Sequence, residues 1–198
     1  MRIVAGIARG RRLRAPKGRL VRPTADRVKE AVFSMLESRE SLDGRAVLDL
    51  FAGAGTLGIE ALSRGAAEAV FVEPARAASE AIHENLRITG LVGEVLAMPA
   101  ERAIKRLAAA GRRFDCVFLD PPYGEGWIGR TLVALDAADV VANGGWIVAE
   151  HGKGEDPAAV VGRFTRDVSR RYGDTSVALY RTSATRADRD APRPDGDA

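Results

Sequence analysis

Residues 46–58 read AVLDLFAGAGTLG, an apolar run that breaks into a glycine-rich loop and continues with a helical pattern. Short apolar runs bounded by glycine are typical of buried strands, and strands of parallel sheets read in this way. The same alternation returns four times. Further strand-like runs cover residues 69–73, 94–97, 115–119 and 146–150, with helix-like stretches at 56–65, 75–89, 100–110 and 126–138. Five strand–helix units in succession predict a parallel sheet with helices on both faces.

Both ends of the chain depart from this alternation. Before the first unit, a helix is predicted over residues 25–38, with Thr24 as its N-cap. After the last unit, residues 165–172 and 175–182 read as two strands joined by a tight turn at Gly173-Asp174. The predicted fold is therefore α/β and Rossmann-like, with a seven-stranded, mainly parallel sheet that ends in an antiparallel hairpin.

The composition is that of a soluble globular protein. Of 198 residues, 46% are apolar and 29% are charged, and the mean hydropathy is −0.11, which excludes collagen-like, mucin-like and wholly disordered chains. No run approaches the roughly 20 uncharged apolar residues that a membrane-spanning helix needs. The single cysteine, Cys116, excludes an internal disulfide and a cysteine-rich zinc site. We expect a cytoplasmic monomer with no membrane association and no bound metal.

Positive charge is concentrated at the start of the chain. Residues 1–29 contain ten basic side chains and one acid, so this segment carries +9 although the whole chain carries only +3. Such a segment attracts polyphosphate, and a solvated tail without a partner is the alternative. Interleaved glycine and apolar residues favour a folded hairpin. We therefore divide the chain into a basic N-terminal β-hairpin arm at residues 1–24, a main domain at 25–182 and a disordered tail at 183–198.

The glycine-rich loop is expected to bind a cofactor, because ligands of open parallel sheets bind beyond the carboxyl ends of the strands. Gly53-x-Gly55-x-x-Gly58 matches the dinucleotide fingerprint, and Glu73 ends the next strand, in position for ribose hydroxyls. The carboxylate of Asp49 would repel a pyrophosphate and attract an ammonium group. A sulfonium cofactor with an amino-acid part therefore fits better than a nicotinamide cofactor. A glycine turn that only closes a strand–helix unit is the third possibility.

The tetrapeptide Asp120-Pro121-Pro122-Tyr123 follows the fourth strand-like run. Tandem prolines fix the path of this loop. The tyrosine ring can stack on a planar base, while the Asp120 carboxylate and the Pro121 carbonyl accept the two hydrogens of an exocyclic amine. Holding both hydrogens aims the nitrogen lone pair at an electrophilic methyl group, which is catalysis by positioning and electrostatics. A proline-stiffened turn with a surface tyrosine is the alternative.

Two motifs together resemble a known group of enzymes. DLFAGAG at residues 49–55 followed by DPPY at 120–123 is similar to the class I S-adenosylmethionine-dependent methyltransferases that modify exocyclic amines of nucleic-acid bases. More narrowly, the chain resembles the RsmD-like family, whose bacterial members methylate guanine at N2 in small-subunit (16S) rRNA. That likeness spans about residues 2–182 and rests on RIVAG at 2–6, GRRL at 10–13, RPTADRVKE at 22–30 and YGDT at 172–175.

The resemblance implies a role for each matching position. The glycine-rich loop would contact the methionine part of S-adenosylmethionine, and Glu73 its ribose hydroxyls. The family usually has an aspartate after its third strand for the adenine amine, whereas this chain has Ala97-Met98-Pro99, so adenine recognition falls to backbone groups or to Met98. The candidate cofactor-binding residues are Asp49, Phe51, Ala52, Gly53, Gly55, Thr56, Glu73, Met98 and Thr24.

The same resemblance implies a catalytic set and an RNA-binding set. The catalytic residues would be Asp120, Pro121, Pro122 and Tyr123, and the RNA-binding residues Arg9, Arg11, Arg12, Arg22 and Arg27. The expected partner is small-subunit rRNA within an assembled or partly assembled subunit. An adenine-N6 DNA methyltransferase stays open, although it would call for a target-recognition insertion that this chain has no room for. A nicotinamide oxidoreductase and a non-catalytic RNA-binding module stay open as well.

Several further residues are given ordinary roles. His83 is expected on the solvent side of its helix. Cys116 is expected in the core, which argues against a cytosine-C5 enzyme with a nucleophilic thiol. Glu150 either lines the substrate pocket or is an exposed carboxylate at a strand end. Trp127 and Trp146 are interpreted as packing residues, with Trp127 the better candidate for base stacking.

Overall fold

A computed structural model describes residues 1–16 and 25–183, which contain five helices and eight strands. Every predicted helix is present within two residues of its expected bounds, because the spacing of apolar residues marked each of them. The helices are α1 (Ala25–Glu37), α2 (Thr56–Ser63), α3 (Arg76–Thr89), α4 (Ala100–Ala109) and α5 (Trp127–Ala138). The strands are β1 (Ala46–Leu50), β2 (Glu68–Val72), β3 (Glu94–Leu96), β4 (Phe114–Leu119), β5 (Val141–Gly152), β6 (Val160–Val161), β7 (Phe164–Tyr172) and β8 (Thr175–Thr182).

These strands form one sheet in the order β3-β2-β1-β4-β5-β8-β7-β6. The first five in this order pair in parallel, and β8, β7 and β6 continue the sheet with antiparallel pairing. The Rossmann-like α/β prediction with a terminal antiparallel hairpin is confirmed. The prediction of seven strands is wrong by one. The additional strand, β6, has two residues and pairs only with β7 at the sheet edge, so it is too short to leave a recognisable apolar run.

The register brings four loops to one edge of the sheet. Leu50 at the end of β1 pairs with Val72 at the end of β2 and with Leu119 at the end of β4. Leu119 in turn pairs with Ala149 of β5. The loops that begin at residues 51, 73, 120 and 153 therefore leave the sheet on the same side, where ligands of this fold bind.

Helices cover both faces of the sheet and bury two apolar cores. Side chains alternate along β1, so that Val47 lies in the first core and Leu48 in the second. The first core receives α1, α2 and α3, with Phe33 among its largest buried side chains, and the second receives α4 and α5. Among the described residues, no helix has the length and apolar character needed to cross a membrane.

The start of the arm is a hairpin that packs onto the body. A single antiparallel bridge joins Arg2 to Arg12, and the N–H of Ile3 donates a 3.0 Å hydrogen bond to the Arg11 carbonyl. A Cβ on Gly6, which has a φ of +79°, would lie 1.7 Å from the carbonyl oxygen of Ser63, so only glycine fits this approach. The arm also buries three apolar side chains in the first core: Ile3, Ala8 and Leu13.

Part of the predicted arm and tail lies outside the described residues. This holds for residues 17–24, with Arg22 and the predicted N-cap Thr24, and for residues 184–198. Ser183 is described, and its N–H donates a 3.0 Å hydrogen bond to the Arg163 carbonyl. The division of the chain at residues 24 and 182 stays a prediction.

Candidate active site

The loop between β1 and α2 is held in a strained conformation. Phe51 has a φ of +62°, a left-handed conformation that costs a non-glycine residue about 1–2 kcal/mol. Gly53 and Gly55 have φ angles of +57° and +76° without that cost. The N–H of Ala52 donates a 3.0 Å hydrogen bond to the carbonyl of Val72, which ties the loop to β2. Strain of this kind persists where surrounding contacts enforce it, and it is common at ligand sites.

Two carboxylates fix the backbone around this loop. Asp49 is 2% exposed, and its Oδ2 accepts a 2.9 Å hydrogen bond from the N–H of Gly58 in α2. Glu73 accepts 2.9 Å bonds from the N–H groups of Gly53 and Ala75. Burial raises the pKa of Asp49 to about 7; the bond from Gly58 lowers it, and the charge of Glu73 raises it further. A cation beside Asp49 would favour its ionised form.

The neighbouring loop carries the DPPY tetrapeptide. Pro121 is buried, whereas Asp120 and Pro122 are exposed. Tyr123 follows them and is partly buried. Because the carboxylate of Asp120 is exposed, it is accessible to a ligand. The proline that follows restricts the backbone on its C-terminal side.

Tyr123 is anchored by the ends of β5 and β8. Its hydroxyl donates a 2.7 Å hydrogen bond to Oε1 of Glu150 and lies 3.3 Å from Oγ1 of Thr175. Burial raises the pKa of the Tyr123 phenol above its ordinary range, so the hydroxyl keeps its proton as a donor. Glu150 is half-buried beside the tetrapeptide, which places it at the candidate site rather than on an open strand end.

Glu155 connects the backbone after the DPPY tetrapeptide to the end of β5. Its Oε1 accepts a 3.0 Å hydrogen bond from the N–H of Gly124, and its Oε2 accepts a 2.9 Å bond from the N–H of Gly152. A Cβ on Gly152 would lie 3.3 Å from Cδ2 of Tyr123, so the tyrosine ring lies close to the β5 backbone. The ring of Tyr123 is therefore packed close to Gly152, and its hydroxyl is hydrogen-bonded to Glu150.

An aromatic contact connects the glycine-rich loop to the start of α5. The rings of Phe51 and Trp127 meet edge to face, with centroids 5.7 Å apart. The guanidinium of Arg130 lies 4.1 Å from the centroid of the Trp127 ring, and the indole N–H donates a 2.9 Å bond to Glu125. Trp127 thus packs as predicted, and its contact with Phe51 gives the glycine-rich loop an apolar neighbour.

The family of the chain is shown by comparison with known proteins. The family model described as Conserved hypothetical protein 95 matches residues 1–181. The chain belongs to this family, the RsmD-like methyltransferases. S-adenosylmethionine is the methyl donor of this family. The resemblance inferred from the motifs is confirmed.

Similar proteins cover most of the chain. Ribosomal RNA small subunit methyltransferase D of Escherichia coli (strain K12) is 38% identical over 150 residues, which are 76% of this chain and 71% of that protein. YlbH of Bacillus subtilis (strain 168) is 39% identical over 183 residues, 91% of this chain and 98% of its own length. The structure of a hypothetical protein of Thermus thermophilus superposes with a TM-score of 0.79 at 34% identity, over 93% of this chain and 99% of the other.

In this RsmD-like methyltransferase, those predicted cofactor and catalytic residues that the structure describes lie at or beyond the carboxyl ends of β1, β2, β3 and β4. The glycine-rich loop and the DPPY loop follow β1 and β4, which are neighbours. Met98 is partly buried and packs against the second core. Arg9, Arg11, Arg12 and Arg27 are exposed, whereas Thr24 and Arg22 lie outside the described residues. The individual roles of these residues remain proposals.

Two residues expected to have ordinary roles, His83 and Cys116, lie where the sequence predicts. His83 is exposed on α3, and Cys116 is buried in β4. Burial raises the pKa of the Cys116 thiol, so it stays protonated. Within residues 1–16 and 25–183, no group of three or more His, Cys, Asp or Glu side chains is arranged to hold a metal ion.

Glu60, a buried residue of α2, was missed by the sequence analysis. It is 0% exposed and accepts hydrogen bonds from the N–H groups of Val4 and Ala5, at 2.8 and 2.9 Å. It also pairs with Lys29 of α1 at 3.2 Å and with Arg64 at 3.0 Å. Glu60 therefore fixes the arm to the helix that follows the glycine-rich loop. An acidic residue among Ile59, Ala61 and Leu62 is the signal that could have revealed it.

Asn85 of α3 was missed in the same way. It is 0% exposed and makes hydrogen bonds both to the arm and to the carbonyl of Ala54 in the glycine-rich loop. It stands between Ile82 and Leu86 on the apolar stripe of the helix, where a polar side chain needs a partner.

Proposed function

We propose that this chain transfers a methyl group from S-adenosylmethionine to the exocyclic N2 amine of a guanine in small-subunit rRNA. The observation that carries this proposal is that the glycine-rich loop and the DPPY loop begin next to each other. They leave adjacent strands at paired residues, Leu50 and Leu119. Neighbouring strands are about 4.8 Å apart, so a donor on the first loop and a base on the second would be in contact.

The residues around the glycine-rich loop fit this cofactor. Buried acids at Asp49 and Glu73 disfavour a pyrophosphate, whereas the amino-acid and ribose parts of S-adenosylmethionine offer an ammonium group and hydroxyls. Asp49 would hold the ammonium group, and Glu73 retains lone pairs for the ribose. Phe51 and Trp127 would form an apolar wall near the sulfonium. When bound, the cofactor supplies an electrophilic methyl group.

The DPPY loop would hold the base. The Asp120 carboxylate and the Pro121 carbonyl accept the two hydrogens of the amine, and the ring of Tyr123 stacks on the base. The amine of guanine is a poor nucleophile because its lone pair is delocalised into the ring. Two acceptors favour a pyramidal nitrogen and stabilise the positive charge that develops on it during the attack. Asp120 and Tyr123 are the residues proposed to contact the reacting group.

The arm supplies the affinity for RNA in this proposal. Its Arg9, Arg11 and Arg12 are exposed next to the arm backbone that Glu60 fixes in place. Basic side chains on a fixed backbone neutralise phosphates with less loss of entropy than a flexible tail. RNA bases accessible to such enzymes are unstacked ones in loops, which favours an assembled or partly assembled subunit as the substrate.

Methyl transfer to ribosomal RNA tests the proposal. Small subunits from cells that lack this protein are incubated with labelled S-adenosylmethionine, and the digested nucleosides are separated. We expect label in N2-methylguanine, and loss of it with Asp120→Ala but not with Asp43→Ala, an exposed carboxylate before β1 at the opposite edge of the sheet. Label in N6-methyladenine would overturn the guanine assignment, and no label in RNA or particles would overturn the whole proposal.

Ligand binding separates the proposal from the nicotinamide alternative. S-adenosylhomocysteine should raise the melting temperature, since a ligand that binds only the native state stabilises it by mass action, whereas NADH should have no effect. Stabilisation by NADH alone would favour an oxidoreductase.

A further inference from the structure

One buried carboxamide connects the arm to the glycine-rich loop. Nδ2 of Asn85 donates hydrogen bonds to the carbonyl of Ala54 at 2.9 Å and to the carbonyl of Arg14 at 3.0 Å. Its Oδ1 accepts a 2.7 Å bond from the N–H of Arg14. Asn85 therefore holds both backbone groups of one arm residue and one backbone group between Gly53 and Gly55.

These bonds cannot be lost independently. The side chain is 0% exposed, so a donor hydrogen that leaves Ala54 or Arg14 finds no water to replace it. An unpartnered donor in such a position is strongly unfavourable, and networks of this kind are stable only when every member is satisfied. A shift of the loop that removes the Ala54 carbonyl would leave one Nδ2 hydrogen without a partner. A turn of the carboxamide to find another partner would break its bonds to Arg14.

The other end of the arm is attached to the helix that follows the glycine-rich loop. Val4 and Ala5 bond to Glu60 in α2, the helix that the glycine-rich loop enters. The two attachments lie on either side of Arg9, Arg11 and Arg12. The side chain of Arg14 is itself 70% exposed, with a 3.4 Å ion pair to Glu84. The basic residues thus lie on a segment that is fixed at one end by α2, the helix after the glycine-rich loop, and at the other by Asn85 of α3.

We infer that Asn85 is a positioning residue that couples RNA binding by the arm to cofactor binding by the glycine-rich loop. The inference rests on the proposed function, which supplies the two ligands. A cofactor that orders the loop fixes the Ala54 carbonyl, and through Asn85 it fixes the backbone from which the arm presents its arginines. Coupling of this kind is reciprocal, so RNA on the arm tightens cofactor binding by the same factor.

Hydrogen exchange on the unaltered protein gives the first test. With S-adenosylhomocysteine bound, we expect slower exchange in the loop at residues 51–58 and also in the arm at residues 1–14, with the hairpin of β7 and β8 as an internal reference. Slower exchange in the loop alone would overturn the coupling and leave the proposed function intact. No change in either segment would overturn the proposed function, and the coupling with it.

A binding cycle with variants gives the second test. The affinity for small-subunit rRNA is measured with and without S-adenosylhomocysteine. For the unaltered protein, we expect the affinity for RNA to be about fivefold or more higher with S-adenosylhomocysteine than without it. For Asn85→Ala, we expect the ratio of these two affinities to be near one. The matched control is Ser79→Ala, which removes one buried hydrogen bond of α3, that from Ser79 to the Glu73 carbonyl, and leaves the arm attached.

The outcomes of the cycle are distinct. Loss of the ratio in Asn85→Ala with retention in Ser79→Ala supports the coupling. An unchanged ratio in Asn85→Ala, or an equal loss in both variants, contradicts a role specific to Asn85. If Asn85→Ala does not fold, the exchange experiment on the unaltered protein decides.

Discussion

The hydroxyl of Tyr123 lies 2.7 Å from the carboxylate of Glu150, and this hydrogen bond joins the DPPY loop to the end of β5. Glu150 is the last but two residue of β5, on the strand that neighbours β4. The aromatic ring proposed to stack on the base is therefore oriented by a strand rather than by the loop that carries it. Sites placed on strands and helices hold their geometry more closely than sites on loops.

Removing this hydrogen bond should slow the methyl transfer. Tyr123→Phe keeps the ring and loses the donor, and a hydrogen bond to a charged group contributes about 1.5–3 kcal/mol. We expect kcat to fall about tenfold to hundredfold and the dissociation constant of S-adenosylhomocysteine to stay unchanged. The matched control is Tyr172→Phe, because the hydroxyl of Tyr172 contacts Met35 Sδ, at 3.8 Å, rather than a carboxylate of the site. Equal effects in both variants would contradict an orienting role for Glu150.

Gly58→Ala should destabilise the fold next to the glycine-rich loop. A Cβ at this position would lie 2.4 Å from a ring carbon of Phe71 and 3.1 Å from Oδ2 of Asp49. Overpacking of this kind costs about 1–3 kcal/mol. We expect that loss in the free energy of unfolding by urea. Gly129→Ala in α5 is the control, since nothing lies within 4 Å of its Cβ and alanine favours a helix; a loss of similar size there would show that packing is not the cause.

The sequence predicted the parts of the site that depend on local pattern. The glycine-rich loop and the DPPY tetrapeptide each follow an apolar run, and the position of a strand end is readable from one segment. The roles of Glu60 and Asn85 were not readable. The arm residues that bond to Glu60 lie 55 and 56 residues away along the chain, and the partners of Asn85 lie 31 and 71 residues away. Such contacts are set by tertiary packing rather than by local preference.

Asp49 is a residue whose role the sequence predicted but whose surroundings it did not. The sequence predicted an acid that faces a cofactor, and the structure adds a bond to the Gly58 N–H and almost complete burial. Burial follows from the strands on both sides of β1, which the motif alone does not specify. The arm gives a further case: its hairpin is closed by one bridge, because turns at Gly6 and Gly10 leave little length for regular pairing.

The raised pKa of Asp49 predicts a pH dependence of stability. Its carboxyl has a pKa of about 7 in the folded chain against an ordinary value of 3.8, so between these values the folded state binds the proton and the unfolded state does not. The contribution of Asp49 to stability is therefore fully present below about pH 4 and is lost as the pH rises to about 7, by at most roughly 1.4 kcal/mol per pH unit.

Asp49→Asn isolates this contribution from those of other groups. The amide keeps an acceptor for the Gly58 N–H and does not titrate. We expect the free energy of unfolding, measured in urea from pH 5 to pH 8, to fall less with pH in Asp49→Asn than in the unaltered protein. Parallel curves for the two proteins would contradict the raised pKa of this carboxyl.

The arm arginines should determine the salt dependence of RNA binding. Arg9, Arg11 and Arg12 are exposed, and each phosphate that a cation neutralises adds about 0.7 to the slope of log affinity against log salt for single-stranded RNA. Replacing all three by alanine should therefore lower the slope by about 2 and weaken binding without changing the affinity for S-adenosylhomocysteine.

A triple variant of α4 controls for the loss of charge in general. Arg102, Lys105 and Arg106 are exposed there, on a helix whose buried face is formed by other residues, and alanine is a good helix former. Removing these three charges lowers the overall positive charge equally but should leave the slope close to that of the unaltered protein. If RNA is attracted only by the overall charge of the molecule, the slope should fall equally in the arm variant and in the α4 variant. If the arm contacts phosphates directly, the slope should fall only in the arm variant. Because the arm is fixed to α2 and α3, a smaller slope in the arm variant alone would also place the RNA backbone beside these two helices.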